Sequence, residues 1–272
     1  MPVITITRGS LSASHKLTER LARELDCQAI SREMIIEHGK AYGIEEFMMA
    51  AKDIMEKKPP HSWDPHADQI HHYLAIFKAS LMDFVVAGNI IYHGLQLHFL
   101  LNDVPRVLRL KVVAPMEYRV RTLTEESSYS EAEAREHIEN VDSQRISWAK
   151  FMYGTDFDEP TSYDMTLNMS NLNLDAMTEV VVQVVRRPEF RLDGGAMSRI
   201  KEAHLKARVV AHLIRSAATR EMELRVECDA ESGHVIIRRL APTPVKGDWK
   251  KAIKEALADE KIISMLEVAE FN

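Results

Sequence analysis

The sequence predicts an α/β protein, an open parallel sheet of five strands followed by a small α+β unit. Two observations carry the prediction. In residues 1–188, short β-branched apolar segments alternate one by one with amphipathic helical stretches, the pattern of parallel strands joined by crossover helices that cover both faces of the sheet. A turn-rich stretch at 188–195, ending in Asp193-Gly194-Gly195, then separates a shorter tail with the order αββαβ. The expected domains are therefore 1–188 and 198–272, with 189–197 as linker.

Residues 2–7 alternate and are rich in β-branched side chains, which predicts the first strand. A helix is expected over 14–25, where Leu17, Leu21, Ala22 and Leu25 recur at helical spacing. Residues 27–30 read as a second strand, after which Ser31 caps a helix through Met34, Ile35 and Ile36, and a further helix is expected over 44–55 before Lys57-Lys58-Pro59-Pro60 breaks the pattern. Over 66–87 the positions Ile70, Tyr73, Leu74, Phe77, Leu81 and Phe84 predict a long helix, which Gly88 ends before a strand at 89–93. A strand at 106–114, helices at 115–126 and 130–150, a strand at 164–168 and a helix at 174–186 complete the larger part. In the tail, helices are expected at 196–217 and 248–258, and strands at 223–228, 234–239 and 262–268.

The chain has 272 residues, 46% of them hydrophobic, enough for a sizeable core. Its net charge of -6 supplies no global attraction to nucleic acid or anionic lipid, so a phosphate-bearing ligand must be met by a local cluster of Arg and Lys. The two cysteines, Cys27 and Cys228, fall in different expected domains, which argues against a disulfide framework or a zinc cluster and for a reduced, cytoplasmic setting. No uninterrupted apolar run approaches membrane-spanning length, and the N-terminus reads as a strand instead of an export signal.

In such a sheet, ligands sit at the carboxyl ends of the strands. The loops found there carry Ile4-Thr5-Ile6-Thr7-Arg8, Ser31-Arg32-Glu33, Tyr92-His93-Gly94, Val141-Asp142-Ser143-Gln144-Arg145, Tyr153-Gly154-Thr155-Asp156 and Tyr163-Asp164-Met165-Thr166-Leu167-Asn168. Taken in this order over residues 1–188, these segments resemble the cytidylate kinase-like family of P-loop kinases. The resemblance implies a nucleoside monophosphate kinase fold with a phosphate loop after the first strand, an acceptor region after the second and third, and a helical, arginine-rich lid. It also implies ATP and Mg²⁺ as cofactors if the protein is active. Phosphoryl transfer asks the protein mainly to place two anionic substrates and disperse charge.

On that resemblance, Arg8, Ser10, Ser12, Ser14 and Lys16, with the start of the following helix, are the expected phosphate-binding residues. The loop is degenerate: Leu11-Ser12-Ala13-Ser14 stand where the family has a glycine-rich turn, and a frame starting at Gly9 puts Ser14 and His15 where the general loop has Gly and Lys. Lys16 takes the Mg²⁺-binding hydroxyl position in both frames. Arg32, His93 and His98 are the expected acceptor-side residues, with Leu95 and His98 standing where the family has an arginine and an acid. The expected lid comprises Arg119, Arg121, Asp142, Arg145, Lys150 and Tyr153, with Asp142 steering Arg145 from one helix face at i, i+3. Lys16, Arg119, Arg145 and Lys150 are the catalytic candidates, and no His/Cys/Asp cluster has metal-ligand spacing.

From about Ser198 the tail resembles a BON domain, a small module associated with ligand and protein contacts; this implies a partner or homo-oligomer role. Three functions stay open: a phosphotransferase acting on a small phosphate-bearing acceptor with weak or no CMP kinase activity, an inactive module sensing a nucleotide or other anion, and an interaction protein without a nucleotide site.

Overall fold

The computed structural model of the chain describes residues 2–8, 14–48, 59, 66–94, 97–240 and 248–270. In chain order its elements are β1 (Val3–Arg8), α1 (Ser14–Leu25), β2 (Gln28–Ile30), α2 (Arg32–Gly39), α3 (His66–Ala87), β3 (Ile90–Gly94), β4 (Val107–Val113), α4 (Met116–Glu126), α5 (Glu131–Tyr153), β5 (Met165–Asn168), α6 (Leu174–Val185), α7 (Gly194–Arg215), β6 (Leu224–Asp229), β7 (His234–Arg239), α8 (Trp249–Ala256) and β8 (Met265–Glu270). They fall into two compact units. Met1–Met34, Ala51–Ala67 and Gly88–Leu192 form the first; Ile35–Ala50, Asp68–Ala87 and Asp193–Asn272 form the second. This partition differs from the linear one read from the sequence, because composition marks linkers and not the long-range packing of 35–50 and 68–87 with the C-terminal segment.

In the first unit, five parallel strands pair in the order β2-β3-β1-β4-β5. Alternation sends Ile4 and Ile6 of β1, with Leu108, Leu110 and Val112 of β4 and Leu167 of β5, to one face. There they pack on Leu17 and Leu21 of α1 and on Met177, Val181 and Val185 of α6. Each such side chain contributes about 1.5–3 kcal/mol by leaving water. Thr5 and Thr7 of β1 and Lys111 of β4 belong to the other face and are buried. Between β4 and β5 the chain makes a helical arm. Ser130 and Glu133 close a capping box at the start of α5. Val120 and Leu123 of α4 meet Ala134 and Ile138 of α5 in a small core of their own.

The second unit has its own sheet, β6-β7-β8, with β6 and β7 antiparallel and β7 and β8 parallel, giving the expected αββαβ order from α7 to β8. Gly233 turns the hairpin at φ 67°, and a Cβ there would lie 2.7 Å from the Ile262 carbonyl oxygen. The strand expected at 262–268 begins only at Met265. Ile262 and Ile263 look like strand residues by hydropathy, but the Ile262 amide donates to Glu260 Oε1 and the Ser264 amide to the Gly233 carbonyl, which makes this stretch a turn. Of the helix expected at 44–55, the structure shows a 3₁₀ turn at Ile44–Phe47, and residues 49–58 lie outside the described ones.

Helix α3 is mostly apolar from Tyr73 onward, with Lys78, Ser80 and Asp83 as its polar positions there. By length and composition, Ala67–Ala87 could cross a membrane, although the sequence shows no unbroken apolar run of that length; 56% of its most apolar window is buried inside the protein. It also carries Asp83, whose carboxylate accepts hydrogen bonds from Tyr42 Oη (2.8 Å), His38 Nε2 (2.8 Å) and His204 Nε2 (2.5 Å). A second buried carboxylate, Glu260, accepts from Arg208 Nε at 2.9 Å and NH2 at 3.2 Å. These bonds tie residues 38–42, α3, α7 and the turn at 260 together within the second unit.

Candidate functional site

Arg8, Ser14 and His93, among the expected site residues, lie at or just beyond the carboxyl ends of β1 and β3. Arg8 ends β1, with its backbone in register with Val112. Ser10 and Ser12 fall outside the described residues. Ser14 opens α1 and is buried, its hydroxyl 2.9 Å from His93 Nε2 at the end of β3. Lys16 is exposed on the first turn of the same helix. Ser14 at the start of α1 and His93 near the end of β3, expected on the phosphate and acceptor sides respectively, are thus in contact. Gly94 follows, and a Cβ there would sit 1.9 Å from the Tyr92 hydroxyl, so the close lie of the Tyr92 ring requires glycine.

His98 is not a surface group. It is 1% exposed, and its Nδ1 lies 2.9 Å from Thr7 Oγ1. Its ring centroid is 3.9 Å from that of Phe99 and 4.7 Å from that of Tyr163. Burial, reinforced by the cations Arg109 and Lys111, pushes its pKa down to about 3, so the imidazole is neutral. In this structure the residue expected on the acceptor side is a buried, neutral ring that pairs with Thr7 and packs on Phe99 and Tyr163. Arg32, the first residue of α2, is half-buried.

In the arm, Arg119 NH2 donates to Asp142 Oδ2 at 2.5 Å, and the arginine side chain is 12% exposed. Asp142, expected to steer Arg145 along the same helix, thus also receives Arg119 of the neighbouring helix. Arg121 is exposed and lies over the Tyr118 ring. Arg145 is half-buried and Lys150 exposed on α5, whose last residue Tyr153 packs its ring 5.0 Å from that of Phe99.

Sequence reasoning missed Lys111. Its ammonium is buried in β4, where it donates to Asp158 Oδ1 at 2.5 Å and to the Phe157 carbonyl at 3.4 Å, under the rings of Phe157 and Tyr163 at 4.8 and 5.1 Å. The available signal was a lysine set in the apolar strand Val107–Val113, a position that demands a buried counter-charge. Among the described residues no group of three or more His, Cys, Asp or Glu is arranged to hold a metal ion.

A parallel sheet in the order 2-3-1-4-5, with a two-helix arm between the fourth and fifth strands, is the fold of P-loop kinases. An uncharacterized protein from Eubacterium ventriosum shares it, with a TM-score of 0.51 at 16% identity over 68% of this chain and 97% of that one. A shikimate kinase from Bacteroides thetaiotaomicron, 11% identical over 68% of this chain and 99% of its own, superposes with a TM-score of 0.40. Residues 3–171 match the Cytidylate kinase-like family, and the chain belongs to it. A cytidylate kinase from Halobacterium salinarum is 28% identical over 88 residues, 32% of this chain. The chain spans about half of that relative, 46% of its length.

Proposed function

We propose that the chain binds a nucleotide at the carboxyl edge of the five-stranded sheet and phosphorylates CMP poorly or not at all. The supporting observation is topological. The N-terminus of the 12-residue helix α1 follows β1, and the arm bearing Arg119, Arg145 and Lys150 follows β4, the strand beside β1. Backbone N–H groups at a helix start favour phosphate, and a cation-bearing arm next to them supplies the charge that phosphoryl transfer requires. ATP is the donor that family membership favours.

Magnesium fits the protein's own donors badly. The family's hydroxyl position holds the exposed Lys16, and the Ser14 hydroxyl is engaged by His93. When bound together with a nucleotide, Mg²⁺ would supply charge neutralisation at its phosphates. Arg8, Lys16, Arg119, Arg145 and Lys150 orient and neutralise the phosphates, while Arg32 and His93 flank the acceptor side. Without the loop lysine and an acidic acceptor group, transfer to CMP loses two charge-stabilising contacts, each commonly worth on the order of 100-fold in rate. The C-terminal αββαβ segment, BON-like in pattern, is proposed as a module for protein or small-ligand contact.

A thermal-shift screen of nucleotides with and without Mg²⁺, paired with a coupled CMP kinase assay, tests the reading. Stabilisation by a nucleoside triphosphate with slow ADP release is expected, since a ligand of the folded form raises apparent stability by mass action. Brisk Mg²⁺-dependent turnover of CMP would overturn the second half of the proposal, and no stabilisation by any nucleotide the first.

A further inference from the structure

The segment that returns from α5 to β5 is fastened to β4 at two points. At its end, the Asp164 amide donates to the Arg109 carbonyl at 2.9 Å and the Arg109 amide to Asp164 Oδ2 at 2.7 Å. In its middle, buried Lys111 holds the Phe157 carbonyl and the Asp158 carboxylate, and the Tyr163 hydroxyl donates to the same Phe157 carbonyl at 2.8 Å. The second point is unusual for its chemistry. A lysine 9% exposed is costly to hold charged unless it has work for its donors, and here both named acceptors belong to the loop.

This loop is the foot of α5. Tyr153 ends that helix and packs on Phe99; Phe99 stacks on His98; His98 touches both Tyr163 and Thr7 of β1. A continuous run of packed rings thus joins the last turn of the arm to the strand that leads into the phosphate loop. We infer that Lys111 is a positioning residue for the arm: by clamping residues 157 and 158 it sets the angle at which α5 leaves the sheet. Through that angle it sets where Arg145 stands. Arg145 lies eight positions before Tyr153, roughly 12 Å along the helix, so a tilt of about 10° at the foot moves it by about 2 Å. A displacement of about 1 Å in a charge-placing group can cost on the order of 100-fold in rate. The functional half of this inference rests on the nucleotide-binding reading; the clamp itself does not.

The test uses the whole chain, two variants of the clamp, and Arg145→Lys alone and combined with Lys111→Met. Lys111→Met removes the ammonium from a buried place; Asp158→Asn weakens the same clamp from its 59% exposed partner while leaving an oxygen to accept from the ammonium. Hydrogen exchange should quicken on the order of tenfold at residues 150–163 in both variants, with β1 and α1 unchanged, as local opening predicts. ATP affinity should fall on the order of tenfold in each, and Lys111→Met should cost little more once Arg145 is already lysine, since the two act through one geometry. Exchange that is unchanged, or that rises evenly over the unit, would overturn the clamp. Unaltered ATP affinity in a variant whose foot has loosened would overturn the positioning role. If the unaltered protein shows no ATP binding, the nucleotide reading fails by itself and takes the positioning role with it, while the exchange pattern still decides whether the clamp exists.

Discussion

Replacing Glu260 by glutamine isolates the electrostatics of the second unit. The carboxylate side chain is 0% exposed, and it accepts from Arg208 Nε at 2.9 Å and NH2 at 3.2 Å, with His212 Nε2 at 3.4 Å and the Ile262 amide at 3.2 Å. An amide oxygen can keep one of the bonds but not the charged fork. Breaking a buried pair commonly costs about 3–5 kcal/mol. Arg208 is 27% exposed and keeps Asp83 at 4.0 Å, so a loss of about 2 kcal/mol is expected. Burial opposes ionisation of Glu260, yet the hydrogen bonds from His212 and Arg208 outweigh it and hold its pKa down at about 2, against an ordinary 4.5. A depressed carboxylate pKa means that the stabilisation is fully present above 4.5 and disappears as the pH falls through about 2. The gap between the two proteins should therefore be constant near neutrality and close over that window. Asp83, also held below its usual range, is present in both and cancels. Urea unfolding, followed by hydrogen exchange of residues 198–215 and 257–263, is the appropriate assay because two units need not unfold in one step. Equal stability at neutral pH, or a gap that persists undiminished to the acid limit, would refute the reasoning.

Three other outcomes follow from the structure. Gly94→Ala drives a methyl into the Tyr92 ring, which is 2% exposed, and should cost about 1–3 kcal/mol in a melting experiment; an unchanged melting temperature contradicts the packing described. Arg145→Lys keeps the charge but loses the planar fork, so ATP affinity should drop on the order of tenfold at unaltered stability; equal affinities would make Arg145 an ordinary surface charge. Cys27 and Cys228, each with its pKa pushed up to about 11, chiefly by burial, should resist alkylation at mildly alkaline pH until the protein is unfolded. Rapid modification of either thiol in the native protein argues against that burial.

Much of the first unit is legible locally. The alternation in β1, the spacing of Leu17 and Leu21, and the Ser130 cap each record a local preference that the fold obeys. What escapes is what depends on distant partners. His98 resembles a ligand in sequence; that it is buried and neutral, beside Thr7 91 residues away and the cations Arg109 and Lys111, depends on contacts no local window contains. Lys111 reads as a flaw in an apolar strand until Asp158 is folded onto it. Asp83 and His204, 121 positions apart, draw the helices around residues 35–50 and 68–87 into one unit with the C-terminal segment. No window of local periodicity contains that information. Hydropathy also misplaced the start of β8, since Ile262 and Ile263 serve a turn governed by Glu260 and Gly233.

The central claim is the proposal that the carboxyl edge of this sheet binds a nucleotide. Calorimetric titration of the full-length protein with ATP in the presence of Mg²⁺ tests it most directly. A single saturable site is predicted, weakened when Lys16 and Arg119 are both replaced by methionine and unmoved by Glu260→Gln in the second unit. Absence of binding up to millimolar ATP, or binding that ignores the loss of both cations, would contradict it.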